Sequence, residues 1–212
     1  YKEKNPDGYE KSQFYEYFNR FIAENYGGQK VSMVVNRIPG EKMYIDWVGD
    51  KPELLTDTET GEIKKVHIFA TTLGVSSLIY AEAFPNEKLP CFIEGCAHAV
   101  SFYGAVTKYF VPDNLRTAVT KHTKDELILQ STFADLEDFY ETIVLPPPAR
   151  KPKGKPTVEN HVRYLEIHLV EKLKEKIYVS FEDLNAEIKK IVAVLNKRSF
   201  QGKDFSRQEA FE

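Results

Sequence analysis

The stretch MYIDWV at residues 43–48 decides the fold, because a single carboxylate, Asp46, interrupts an otherwise apolar and aromatic run. The turn residues Pro39 and Gly40 precede this run, and together they predict a short, buried strand. A carboxylate in a buried strand costs several kcal/mol unless a cation or a hydrogen-bond network compensates it. Asp46 is therefore the first candidate functional residue.

Hydrophobic periodicity predicts the elements on either side of this strand. The expected helices span 12–26, 88–106 with an end signal at Gly104, 132–140 with Thr132 as its cap, a segment that starts at Pro156, and 180–195 with Ser180 at its start. Further strands are expected at 66–72, 77–84, 109–111 and 144–145, with a hairpin or loop at 56–62. Three consecutive strands come first, and we expect them to be antiparallel, with helices joining the later ones. This order predicts a three-layer α/β fold with a mixed sheet flanked by helices.

Two more carboxylates occupy positions that suit ligand binding. Asp113 directly follows the short strand at 109–111, and open sheets place ligand groups at strand ends. Glu159 lies in the first turn of the helix that starts at Pro156. Each position alone is also typical of ordinary capping. Taken together with Asp46, they suit a cluster of like charges that hard cations such as Mg²⁺ or Mn²⁺ make tolerable.

The charge is distributed unevenly, although the net charge is only −3. Residues 108–124 carry four basic side chains against Asp113 alone, and residues 150–163 carry five against Glu159 alone. Positive charge beside isolated carboxylates suits a phosphate backbone. A solvated basic loop is the alternative that the pattern leaves open.

Several classes of protein are disfavoured by what the sequence lacks. It has two cysteines, Cys91 and Cys96, whose spacing in a predicted helix favours buried thiols over a disulfide or a zinc site. It has no G-x-S-x-G, Walker or G-x-G-x-x-G motif. No apolar run is long enough to span a bilayer and no signal peptide is evident, so we expect a cytoplasmic protein with no membrane partner. The start at Tyr1 suggests a piece of a longer protein.

Three segments resemble the IstA transposases of bacterial insertion sequences, which are relatives of retroviral integrases. They are GEKMYIDW at 40–47, VPDNLRTAV at 111–119 and KPKGKPTVEN at 151–160, and the segments at 184–185, 196–198 and 206–211 agree with the C-terminal part of that family. The resemblance implies a ribonuclease-H-like catalytic core. It also implies that Asp46, Asp113 and Glu159 are the catalytic Asp, Asp, Glu triad and bind two Mg²⁺ or Mn²⁺ ions. The 46-residue interval from Asp113 to Glu159 is longer than in the retroviral relatives.

The same resemblance implies an activity and partners. Transposon DNA ends would be cleaved, and their 3′-hydroxyls would then be joined to target DNA. The partners would be transposon-end and target DNA, further copies of the chain in a dimer or tetramer, and an AAA+ ATPase helper of the IstB type. Helix-turn-helix modules upstream and a small β-domain downstream would complete the protein.

We expect three parts: an N-terminal helix and extended linker at 1–38, the catalytic core at 39–178, and a C-terminal helical segment at 179–212. The expected DNA-binding residues are basic and flank the predicted carboxylates: Arg116, Lys121, Arg150, Lys151, Lys153, Lys155 and Arg163. Two alternatives stay open, a DNA-binding scaffold without catalysis and a nuclease of the same fold that hydrolyses DNA without joining it.

Overall fold

The computed structural model describes part of the chain, and it divides that part into two units. The described residues are 6–8, 10–26, 37–49, 51–113, 119–122, 127–129, 131–145 and 164–212. The first unit, Tyr1–Asn36, contains helix α1 (Lys11–Tyr26), as the sequence predicted. The second unit is Arg37–Glu212. The predicted division at 38 and 178 stays a prediction.

The second unit contains the strands and the remaining helices. The strands are β1 (Lys42–Trp47), β2 (Glu53–Thr56), β3 (Ile63–Lys65), β4 (His67–Leu73), β5 (Ile79–Phe84), β6 (Tyr109–Pro112), β7 (Val119–His122), β8 (Leu127–Leu129) and β9 (Ile143–Val144). The helices are α2 (Leu89–Tyr103), α3 (Ser131–Tyr140), α4, in which a π-helical turn at Glu166–Val170 runs into an α-helix at Glu171–Leu173, and α5 (Phe181–Lys197).

Within the described residues, the main sheet has five strands in the order β5-β4-β1-β6-β9. Strand β4 is antiparallel to both β1 and β5, as predicted for the first three long strands. Strands β6 and β9 join in parallel with β1, which suits strands that are reached through helices. Strands β2 and β3 form the expected hairpin, and the small hairpin of β7 and β8 was not expected.

The two faces of the main sheet pack against different helices. One cluster of buried side chains joins Met43, Ile45 and Phe110 to α2 and α3. The other joins Ile68 and Ala70 to α4 and α5. The structure is therefore the three-layer arrangement that the element order predicted.

Two helix ends follow from local chemistry. Helix α2 ends at Gly104, whose φ of 67° is unfavourable for residues with a Cβ. Helix α5 begins after Ser180, whose side chain accepts a hydrogen bond from the Asp183 backbone N–H. Both ends were predicted. Helix α3 begins one residue before the predicted cap, Thr132.

Helix α5 also covers the outer edge of β5. The Asn196 side chain accepts from the Ile79 backbone N–H at 3.0 Å and donates to the Ile79 carbonyl at 2.7 Å. Asn185 makes the same pair of bonds to Ala83, at 2.7 and 3.1 Å. Two side-chain amides thus take the place of a neighbouring strand at this edge.

Candidate active site

Asp46 lies near the carboxyl end of β1, on the face of the sheet that packs against α4 and α5. Its neighbours Ile45 and Trp47 pack on the opposite face, and side chains alternate along a strand. Across the sheet Asp46 is paired with Ala70, which belongs to the α4 and α5 cluster. The Asp46 Oδ1 accepts a 2.8 Å hydrogen bond from the Trp47 backbone N–H, which restricts the rotamer of the carboxylate.

Asp113 directly follows β6, beside Asp46. Strands β1 and β6 are parallel, and Ile45 is paired with Pro112 in their register. The Asp113 backbone N–H donates to the Ile45 carbonyl at 2.9 Å, so the ladder continues one residue past the strand. The register therefore brings the two aspartates to adjacent positions on strands that lie about 4.8 Å apart.

These two aspartates fit the hard cation that the sequence predicted. Both supply carboxylate oxygens, the donors that Mg²⁺ and Mn²⁺ prefer, from adjacent ends of parallel strands. Within the described ranges, no group of three or more His, Cys, Asp or Glu side chains is placed to hold a metal ion. The described residues thus provide two carboxylates, Asp46 and Asp113, at this edge of the sheet.

The other predicted site residues lie largely outside the described ranges. Glu159 does, and so do six of the predicted DNA-binding residues: Arg116, Arg150, Lys151, Lys153, Lys155 and Arg163. Lys121 lies in β7. Downstream of Glu159, Leu165, Leu169 and Leu173 are buried against the sheet face that carries Asp46. The part of this predicted helix that the structure describes, from Tyr164 onward, therefore belongs to the layer that covers this face.

A charged group that the sequence analysis missed lies on the opposite face, next to Trp47. His67 Nδ1 lies 2.9 Å from Glu87 Oε1, which also pairs with Lys51 at 3.1 Å. Burial alone would raise the pKa of Glu87, but the bonds from His67 and Lys51 outweigh it and lower that pKa. The Trp47 ring packs edge-on against His67 at 6.5 Å and against Phe69 at 5.3 Å. These residues are far apart in sequence, so no local pattern signals the contact.

A cavity of about 640 Å³ lies away from the aspartates, between α2 and α5 beside β5. Glu82 lines it and bonds to the Tyr80 hydroxyl at 2.6 Å and to His98 at 2.9 Å. Burial and the bond to Glu82 raise the pKa of Tyr80 above its usual range. Neither Asp46 nor Asp113 lines this cavity, so its size does not mark the carboxylate site.

The chain is similar in sequence to transposases of bacterial insertion sequences. A Sinorhizobium fredii protein named as a transposase, y4uI, is 34% identical to this chain. The match covers 92% of this chain and 37% of that protein. A Pseudomonas fluorescens protein named as the transposase of insertion sequence IS1162 is 32% identical to this chain. The match covers 96% of this chain and 36% of that protein. The transposase of insertion sequence IS21 from Pseudomonas aeruginosa is 26% identical, over 66% of this chain and 36% of that protein. The chain thus spans about two fifths or less of these relatives, and no protein-family model matches it.

Solved structures with a similar fold are retroviral. A chain of the simian T-cell lymphotropic virus intasome superposes with a TM-score of 0.63 at 10% identity, over 85% of this chain and 57% of that one. The catalytic core domain of HTLV-2 integrase, solved with magnesium, gives 0.59 at 15% identity, over 82% and 98%. The relationship to insertion-sequence transposases that the sequence predicted is therefore confirmed. The chain is a homologue of insertion-sequence transposases and has the ribonuclease-H-like fold of an integrase catalytic core.

Proposed function

We propose that this chain is the catalytic core of a transposase that cleaves transposon DNA ends and joins their 3′-hydroxyls to target DNA. The observation that carries the proposal is the register of β1 and β6, which brings Asp46 and Asp113 to adjacent positions on one face of the sheet. Sequence similarity to transposases and the integrase-core fold support it. The IS21 transposase among the relatives supports the more specific resemblance to IstA.

Asp46, Asp113 and Glu159 are the proposed metal ligands. Glu159 comes six residues before Leu165, which is buried on the sheet face of Asp46. When bound, two Mg²⁺ or Mn²⁺ ions activate the attacking oxygen and stabilise the leaving oxygen of a phosphoryl displacement. The chain then has to hold the carboxylates in place, orient the DNA end and keep its phosphates near the site. Arg116, Lys121, Arg150, Lys151, Lys153, Lys155 and Arg163 are proposed for the last two tasks.

The proposed partners follow from the same role. They are transposon-end DNA, target DNA, further copies of the chain in a dimer or tetramer, and an IstB-like AAA+ ATPase. The HTLV-2 integrase core, which was solved in a dimeric form, supports self-association. None of the described helices is long and apolar enough to cross a bilayer.

A joining assay on the full-length protein tests the proposal. Pre-cut transposon ends are incubated with plasmid and Mg²⁺ or Mn²⁺, and joined products are expected. Nicked plasmid without joined ends would favour a nuclease, and no product at all would favour a DNA-binding scaffold.

The variant Asp113→Asn isolates the carboxylate, because the side chain keeps its shape and loses the charge that holds a cation. We expect it to abolish joining, to weaken Mn²⁺ binding measured by calorimetry, and to leave DNA binding intact. Asp135→Asn, at an exposed position of α3, is the matched control and should behave as the wild type. Full joining by Asp113→Asn would exclude Asp113 from the mechanism.

A further inference from the structure

Four basic side chains lie on α4 or follow α5: His168 and Lys172 on α4, Arg198 directly after α5, and Arg207 further along the chain. Arg198 and Lys172 are exposed, His168 is half-buried, and Arg207 is buried. We call these four residues the basic cluster. They come from three segments of the chain, so the fold, and not a local run of sequence, brings their charges together.

Arg207 is the structural centre of the basic cluster. Its guanidinium carbon lies 4.5 Å from the centroid of the Tyr164 ring and 5.1 Å from that of Phe200, so the cation is held between two aromatic rings. The Tyr164 ring in turn lies 4.4 Å from the His168 ring. Arg207 is 7% exposed, and its Nη1 donates to the Leu195 carbonyl at 3.4 Å. The charge is therefore fixed in place.

Among the described residues, the buried charge of Arg207 has no anion beside it. Its buried Nε–H likewise has no hydrogen-bond partner within the described ranges. In the part of the chain that the structure describes, no carboxylate pairs with Arg207, Arg198 or Lys172. The nearby Glu171 pairs with Lys174 instead, and Glu209 accepts a hydrogen bond from the Ser206 backbone N–H. A buried cation without a counter-charge is unfavourable, and two aromatic rings compensate it only in part.

His168 reports the same excess of positive charge. Burial lowers the pKa of His168, and the charges of Arg198, Lys172 and Arg207 lower it further. Lys172 follows His168 by four residues along α4, and the Arg198 backbone N–H and the Arg207 side chain both donate to the Leu195 carbonyl, so the three cations lie in the same part of the fold. An anion at this place would interact favourably with each of them.

We propose that the basic cluster binds a phosphate of the DNA backbone, with Lys172 and Arg198 as the contacting residues and Arg207 as the buried charge that supports them. The proposal rests on the proposed function, since it takes DNA as the ligand. DNA is favoured over an acidic protein because His168 and Lys172 follow, along the same predicted helix, the basic segment 150–163 that is proposed to bind DNA.

Salt dependence of DNA binding tests this site without requiring catalysis. Binding of the full-length protein to a labelled transposon-end duplex is measured by fluorescence anisotropy in EDTA, from 50 to 200 mM salt. Each phosphate contact contributes about 0.9 to the slope of log K against log salt, which is a factor of about 8 at 0.1 M relative to 1 M. The double variant Lys172→Ala/Arg198→Ala should lower the slope by about 1.8 and weaken binding at 0.1 M by about 60-fold.

Two further variants make the result specific. Lys64→Ala/Lys65→Ala removes the same charge from two lysines that are already paired, with Asp57 at 2.8 Å and Glu53 at 3.8 Å, and should leave the slope unchanged. Lys172→Arg/Arg198→Lys keeps both charges and should keep the slope. An unchanged slope in Lys172→Ala/Arg198→Ala, or an equal loss in the Lys64 and Lys65 control, would overturn the site.

The outcome separates this site from the proposed function. If the slope is unchanged while joining proceeds, the basic cluster is not a DNA site and the transposase assignment stands. If the slope falls as expected while Asp113→Asn still joins DNA, the phosphate site stands and the proposed metal ligands fail.

Discussion

Gly95 in α2 is expected to be a position where the usual effect of alanine in a helix is reversed. Glycine in a helix interior is normally about 1 kcal/mol worse than alanine, so replacement should stabilise the helix. A Cβ at Gly95, however, would lie 2.8 to 2.9 Å from three ring atoms of Phe69. Phe69 is fully buried between α2 and the sheet, so its ring has little room to move.

The magnitude follows from the two opposing effects. Overpacking a close-packed core costs about 1 to 3 kcal/mol, and contacts under 3.0 Å to a fully buried ring place Gly95→Ala in the upper part of that range, at about 2 to 3 kcal/mol. After subtracting the helix propensity gain, we expect Gly95→Ala to lower the free energy of unfolding by about 1 to 2 kcal/mol. For a chain of this length that corresponds to a fall in Tm of about 2 to 8 °C.

The assay is thermal unfolding of the 212-residue chain followed by tryptophan fluorescence. Trp47 is the single tryptophan of this sequence and its ring lies 5.3 Å from that of Phe69, so it reports directly on the perturbed packing. Ser101→Ala, at an exposed position of the same helix, is the control and should be neutral or slightly stabilising. A Gly95→Ala protein as stable as the wild type, or more stable, would refute this reasoning.

Three further predictions concern other buried or paired groups. Asn196→Ala should lower the free energy of unfolding by about 2 to 4 kcal/mol, because it leaves two backbone groups of Ile79 unsatisfied. Urea unfolding measures this loss, and the same measurement on Asn185→Ala, where the side chain is only half-buried, should give a smaller one. Because the pKa of Glu87 is lowered from about 4.5, its stabilising effect is present above that pH and is lost on further acidification; Glu87→Gln should reduce the loss of Tm below pH 4.5. Burial raises the pKa of Cys96, so native protein should alkylate at Cys91 first; equal rates by mass spectrometry would contradict this.

The sequence was sufficient to predict the elements whose signals are local. An apolar run around Asp46 indicated a central strand, and Gly104 and Ser180 indicated helix ends, because each signal lies within a few residues. The carboxylate cluster predicted from the sequence required the strands of Asp46 and Asp113 to be neighbours, and the pairing of β1 with β6 meets that condition. Trp47, part of the same apolar run, packs against the core, although its ring remains partly exposed.

Contacts between distant residues could not be predicted in this way. Asn185 and Asn196 bond to residues 102 and 117 positions earlier, and a lone asparagine in a helix indicates nothing about a strand edge. The association of His67 with Glu87, and that of Arg207 with Tyr164, likewise depend on tertiary packing. Glu159 and the basic segment 150–163 stay predictions from the sequence, because they lie outside the described residues.

The two asparagines of α5 that bond to the edge of β5 also affect the tendency of the protein to aggregate. An uncovered edge strand exposes backbone N–H and C=O groups with which a strand of another molecule can pair. Such pairing can start the formation of fibrous aggregates. Here the side-chain amides of Asn196 and Asn185 bond to the outward backbone groups of Ile79 and Ala83, which are four residues apart. A strand of another molecule could therefore pair at most with the backbone around Ala81. Copies of this chain at high concentration could therefore lie side by side without forming a continuous sheet through this edge.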